Sequence, residues 1–173
     1  FLRDSHGEFY FLEVNPRVQV EHTVTEMITG YDLVSLGIRV ASGECLPISQ
    51  DDIEISGHAI QARLNAEDPR TLEPSPGRLW ECHWPAGPGV RVDTHAHTGY
   101  DMPPSFDSLL AKLIVWGRDR QEAIRRLDAA LEETLILGVE TLIPLHRAIL
   151  SEDDFRNRDV TIRYLEEHLD LLN

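Results

Sequence analysis

Glu13-Val14-Asn15-Pro16-Arg17-Val18-Gln19-Val20-Glu21-His22 is the stretch whose reading decides the rest of the chain. Its odd positions from 13 to 21 read Glu, Asn, Arg, Gln, Glu, and the even positions between them Val, Pro, Val, Val. A period of two means an extended chain with alternate side chains on opposite faces. One face is apolar and can be buried, and Tyr10-Phe11-Leu12 extends it upstream. The other carries two carboxylates, two amides and a guanidinium. A strand with one solvated face gives the same alternation, but such faces tend to use Lys, Thr and Ser. At roughly 3.3 Å per residue, eight straight steps from Glu13 to Glu21 would span about 26 Å. A single small site therefore requires a bend. Pro16 has no N–H to give a sheet, which makes it the natural place for one. The expectation is a strand end at Glu13 and Asn15 and a loop over Arg17 to Glu21.

The polar face has the composition of a reaction site. Carboxylate and amide oxygens, here Glu13 and Asn15, are the hard ligands Mg²⁺ takes one or two at a time, with phosphate and water completing its shell. Arg17 offers a planar fork for a carboxylate-like or phosphate oxyanion. Gln19 adds a donor, and Glu21 could remove a proton from what Arg17 holds.

The whole chain sets bounds on that reading. Its 173 residues suffice for one domain with a core, or one plus part of another. A net charge of −14 argues against a nucleic-acid or anionic-membrane partner. Two cysteines, Cys45 and Cys82, form no CxxC pattern and suggest neither a disulfide scaffold nor a thiolate zinc site. No run reaches the length of a membrane span, and no leader is evident. The expectation is a cytoplasmic protein of which this chain is a piece. Fifteen of its sixteen basic residues are Arg, and Lys112 is the single Lys. With neither GxxxxGK[ST] nor GxGxxG, the chain either binds no nucleotide or holds only part of the site.

Along the sequence, Phe1 to Val14 reads as a hairpin across Asp4-Ser5-His6-Gly7. Asp32 is an N-cap for a helix over Leu33 to Ala41 ended by Gly43, with Leu33, Leu36 and Val40 as core and Gly37 at a close approach. Pro47 to Gln50 reads as a linker. A second alternation puts Ile60, Ala62 and Leu64 on one face and Gln61, Arg63, Asn65 and Glu67 on the other, ending at Asp68-Pro69. Arg78 to Trp84, Val90 to Ala96 and Ala111 to Trp116 follow as strands. Arg120 to Leu135 is an amphipathic helix, and Thr141 to Leu150 and Thr161 to Leu172 are shorter ones. His95 and His97 lack a third metal ligand and read as surface residues, Arg63 as surface, and Asp107-Ser108 as a turn.

Phe11 to Glu26 closely resembles the signature of biotin carboxylase, an ATP-grasp enzyme. The resemblance continues in order through Arg63-Leu64-Asn65-Ala66-Glu67-Asp68-Pro69, Pro74-Ser75-Pro76-Gly77 and Asp107-Ser108-Leu109-Leu110-Ala111-Lys112-Leu113-Ile114. It implies an α+β fold: residues 1–45 ending an ATP-grasp domain, and 46–173 forming a carboxylase C-terminal domain of antiparallel sheet with flanking helices. It implies that ATP, Mg²⁺ or Mn²⁺ and bicarbonate give carboxyphosphate, which carboxylates biotin on a carrier protein or domain. Glu13 and Asn15 would then be metal ligands. Arg17, Gln19 and the Val20 backbone would hold bicarbonate, Glu21 would deprotonate it, and Arg63 would stabilise the biotin enolate. A carboxyltransferase component and a homodimer of the full-length enzyme are the further implied partners. Pro16, Gly37 and Phe106 depart from the family's commoner Thr or Ala, Gln and Tyr, and none removes a proposed catalytic group. The family's glycine-rich lid and ATP-contacting lysines lie upstream, so this piece alone is expected to be inactive. Two alternatives stay open, another ATP-grasp ligase and a non-catalytic assembly module.

Overall fold

The computed structural model describes residues 1–157 and 160–168. The architecture is α+β, as expected, with antiparallel sheets and helices packed on them. β1 (Leu2–Arg3) and β2 (Phe9–Tyr10) form the N-terminal hairpin. The Asp4 carboxylate closes its turn by accepting the N–H groups of His6 and Glu8. Beyond Tyr10 the structure departs from expectation, because residues 11–20 pair with no strand among the described residues. Phe9, Phe11, Leu12, Val14 and Val18 are all exposed. The apolar side of the alternation finds no core to enter among the described residues, so the segment remains loop.

α1 (His22–Thr29) was hidden from periodicity by its β-branched run Thr23-Val24-Thr25. Gly30 stops it in the left-handed conformation, φ 77°, with its N–H on the Glu26 carbonyl. α2 (Leu33–Ala41) starts where expected, with the Asp32 carboxylate accepting the Ser35 N–H at 2.8 Å. Its assignment to the core is corrected. Leu33 and Leu36 are half-buried and Val40 is exposed. A Cβ on Gly37 would meet nothing within 4 Å, so no close approach occurs there.

After a 3₁₀ turn at Gln50–Asp52 come β3 (His58–Asn65), β4 (Gly77–Arg78), β5 (Glu81–His83), β6 (Val90–Thr94), β7 (Asp101–Met102), β8 (Leu109–Gly117), α3 (Arg120–Glu133), β9 (Leu135–Leu137), α4 (Ile143–Ser151), α5 (Asp153–Asn157) and α6 (Tyr164–Glu167). The strand expected over Arg78 to Trp84 breaks at exposed Trp80, and its two halves pair separately, β4 with β7 and β5 with β9. Leu135, placed in the preceding helix by its spacing, instead opens β9. The last expected helix is short, and residues 169–173 lie outside the described residues.

The main sheet has the order β3-β8-β6. Ala62 and Leu64 of β3 and Ala111, Leu113 and Val115 of β8 face α3, which answers with Ala123, Ile124, Leu127, Ala130 and Leu131. β8 also buries Leu110 and Ile114 on its reverse face, which explains its continuous apolar run. A second cluster, Ala66, Leu79, Ala96, Met102 and Leu110, fills the space beneath the short strands.

Candidate active site

The sheet register sets the site. Arg63, Lys112 and Asp93 form one row across β3, β8 and β6, and Gln61, Ile114 and Arg91 the next. Alternation turns all six away from α3. α1 and the loop before it dock on that face. Thr23, fully buried, donates its hydroxyl to the side-chain amide oxygen Oε1 of Gln61. Glu26, also buried, bonds Arg91 at 2.7 Å and accepts the Leu33 N–H at 2.9 Å. Lys112 Nζ reaches the Val20 carbonyl at 3.4 Å, and Arg63 meets the Glu21 carboxylate at 3.6 Å.

Arg91 is also held by both oxygens of Asp93. Those bonds, helped by Glu26, push the Arg91 guanidinium pKa up against the opposing effect of burial. Burial pushes Asp93 upward, but Arg91 and Lys112 outweigh it and hold the carboxyl below its usual range. Arg91 and Asp93 therefore stay charged at neutral pH.

The expected bend is present. The Arg17 N–H donates to the Asn15 carbonyl at 2.8 Å, a γ-turn centred on Pro16. His22 then ties the loop to α1, its Nδ1 lying 2.7 Å from the Gln19 carbonyl. As a result Glu13, Asn15, Arg17, Gln19, Val20, Glu21 and Arg63 all line one cleft of about 440 Å³. Arg63, which alternation alone placed on the surface, is drawn into it by the position of β3. The cleft is completed by Asn65, Asp107 and Leu109; the sequence alone reads Asn65 as a strand face and Asp107 as a turn, and assigns Leu109 to no element. Only the position of Asp107 and Leu109 in the shared Asp-Ser-Leu stretch hinted at their presence. His95 and His97 lie elsewhere, edge-on to the Tyr100 ring at 5.1 and 5.9 Å.

The donor set suits a divalent cation in part. The Asn15 side-chain NH₂ donates to Glu13 Oε1 at 3.0 Å, which leaves the Asn15 side-chain oxygen Oδ1 and the second Glu13 oxygen as hard donors. Among the described residues no cluster of three or more His, Cys, Asp or Glu side chains could hold a metal. Two oxygens with phosphate and water are a normal Mg²⁺ arrangement, whereas a complete protein cage is not offered.

Residues 61–167 match the biotin carboxylase C-terminal domain. The chain belongs to that family. Residues 1–49 match the ATP-binding domain of the carbamoyl-phosphate synthase large chain. The chain is 52% identical to a biotin carboxylase of Haemophilus influenzae over 164 residues, 95% of this chain and 37% of that protein. It is equally similar, 52% over 165 residues, to a pyruvate carboxylase subunit of Methanothermobacter thermautotrophicus, covering 95% of this chain and 34% of that one. A crystal structure of the biotin carboxylase domain dimer of Hydrogenobacter thermophilus 2-oxoglutarate carboxylase, in complex with MgADP, ADP and bicarbonate, superposes with a TM-score of 0.95. That match has 47% identity and covers 98% of this chain and 38% of that one. The chain thus spans little more than a third of the length of these relatives. No helix among the described residues is long and apolar enough to cross a membrane.

Proposed function

We propose that this chain is the bicarbonate- and biotin-binding wall of an ATP-dependent biotin carboxylase, with residues 1–45 ending its ATP-grasp domain and 46–173 forming its C-terminal domain. The observation that carries this reading is the convergence of the Glu13–Glu21 loop and Arg63 on one cleft, with Arg63 and Glu21 3.6 Å apart. The match over residues 1–49 is to an ATP-binding domain named for another enzyme, carbamoyl-phosphate synthase, whereas that over 61–167 brings in Arg63 and favours the carboxylase.

In this reading Arg17, Gln19 and the Val20 N–H hold bicarbonate, and Glu21 takes its proton as the bicarbonate oxygen becomes a nucleophile toward the ATP γ-phosphoryl group. Glu13 and Asn15 would hold Mg²⁺ or Mn²⁺, which supplies charge neutralisation and alignment of the phosphates. Protonation of Glu21 removes the charge that holds Arg63. The freed guanidinium is then available to the developing enolate oxygen of biotin, presented on a carrier protein or domain. A carboxyltransferase component would take the carboxyl group onward. The similar relatives are named for pyruvate and 2-oxoglutarate, so we infer that the acceptor is chosen outside this region. We further infer a homodimeric parent enzyme and a cytoplasmic setting.

The exposed apolar side chains of residues 9–18 and of Val34, Ile38 and Val40 support an incomplete ATP-grasp half, since a patch of this kind normally meets a partner surface. The test is ATP cleavage by the full-length enzyme with and without bicarbonate. Bicarbonate-dependent cleavage that falls at least about 100-fold in Glu21→Gln supports the reading, that being the usual contribution of a general base. An unchanged rate in that variant contradicts it.

A further inference from the structure

Lys112 is the only lysine of the chain, and it is placed neither as a surface charge nor as a ligand of the cleft. Its side chain is 12% exposed, beneath the Val20–Glu21 segment. Its ammonium group meets the Val20 carbonyl at 3.4 Å and Asp93 Oδ2 at 3.3 Å. Asp93 is fixed in turn by the bidentate bond from Arg91, and Arg91 by buried Glu26 of α1. A lysine stem normally keeps its head in water and loses much rotamer freedom when it cannot. Here the head is turned onto a backbone carbonyl of the site loop.

That carbonyl is a consequential one. Peptide units are planar and trans, so fixing the Val20 C=O fixes the plane of the Val20–Glu21 peptide and the origin of the Glu21 side chain. The preceding peptide is fixed as well, because His22 holds the Gln19 carbonyl through its ring and its N–H, at 2.7 and 3.2 Å. In a trans peptide the N–H points opposite to the C=O, so the Val20 N–H is turned away from α1. Arg63, the register partner of Lys112 on β3, holds the Glu21 carboxylate itself. Adjacent residues of one sheet row thus grip adjacent residues of the loop.

We propose that Lys112, anchored by Asp93, is a positioning residue that sets the Val20–Glu21 peptide and so presents the Glu21 carboxylate to the bicarbonate oxyanion, beside the Val20 N–H that His22 orients. This rests on the function proposed above. Lys112 touches no substrate; it acts through the loop. The fixed geometry is preorganised by the fold, so no binding energy goes into ordering the loop.

The test uses the full-length enzyme and the variants Lys112→Met, which keeps the stem and removes the ammonium, Lys112→Arg and Asp93→Asn. Expected is a rise of about tenfold in KM for bicarbonate in Lys112→Met, the size associated with one hydrogen bond to a charged group. KM for ATP should stay within about twofold, with partial recovery in Lys112→Arg and a smaller rise in Asp93→Asn. Equal losses toward ATP and bicarbonate, or no loss, would overturn the proposal. Hydrogen exchange provides a second measurement that does not need turnover. Lys112→Met and Asp93→Asn should speed exchange of the amides of residues 21–24 while those of β8 keep their wild-type rates, and unchanged exchange at 21–24 overturns the proposal even if Lys112→Met folds poorly. A wild-type enzyme without bicarbonate-dependent ATP cleavage would instead remove the functional reading, and the exchange result would still judge the loop-fixing role.

Discussion

Arg63 and Glu21 meet with more than half of each side chain in solvent, at 55% and 56% exposure. An ion pair so exposed contributes about 0–1 kcal/mol to stability. Its residues are held near each other by the loop and by β3, so the pair can open when a ligand arrives. Arg63→Ala should therefore lower the unfolding free energy of the full-length enzyme by less than about 1 kcal/mol, as read by urea denaturation, while abolishing biotin turnover. His146 acts on the same residue from behind, with its Nε2 2.8 Å from the Arg63 carbonyl. Burial pushes the His146 pKa down, and the bond to Arg63 only partly opposes this. A folded pKa below the unfolded value of about 6.5 means stability that is full above that pH and lost as pH falls toward the folded value. The difference in stability between wild type and His146→Gln should accordingly shrink from pH 8 to pH 5. A constant difference would contradict it.

At the scale of elements, sequence reasoning succeeded where the chain supplies its own partner. β3 and β8 alternate or run apolar because α3 lies against them, and α2 begins at Asp32 because a carboxylate caps it. Leu113→Ala, at the centre of that contact, should cost about 2–5 kcal/mol by denaturant titration, and Asp32→Ala only about 1 kcal/mol. Reasoning failed where a segment's partner is not among the described residues or is set by tertiary packing. Residues 13–21 alternate as a strand but pair with no strand among the described residues, and the apolar side of α2 stays open. β9 was unreadable for another reason. Leu135 continues the helical spacing of α3, and only Gly138, at φ +113° against the Arg78 carbonyl, forces the turn back. Gly138→Ala should destabilise the fold by at least about 2 kcal/mol, from both the strained φ and the collision.

For the whole molecule, most of the candidate site was legible in the order Glu13, Asn15, Arg17, Gln19, Glu21, because oxygen and guanidinium groups on one side of a bent segment have few other uses. Arg63 was legible only through the family, since its approach to Glu21 depends on how β3 lies beneath α1. Lys112 gave no signal beyond its rarity and its place in the Asp107–Ile114 stretch of the resemblance. The uncovered apolar face of residues 9–18 and α2 implies that the isolated 173-residue chain exposes hydrophobic surface, and the chain spans little more than a third of the length of its relatives. It should bind a hydrophobic dye and show no bicarbonate-dependent ATP cleavage, and such cleavage by the isolated chain would refute that view of its completeness. The central claim is that one cleft serves bicarbonate at the loop and biotin at Arg63. It is tested most directly by measuring carboxylation of free biotin and bicarbonate-dependent ATP cleavage side by side in full-length wild type and Arg63→Ala. The variant should lose biotin carboxylation by at least about 100-fold, as when a preorganised charge-stabilising group is removed, yet still cleave ATP when bicarbonate is present. Retention of biotin carboxylation in the variant, or its absence in wild type, would contradict it.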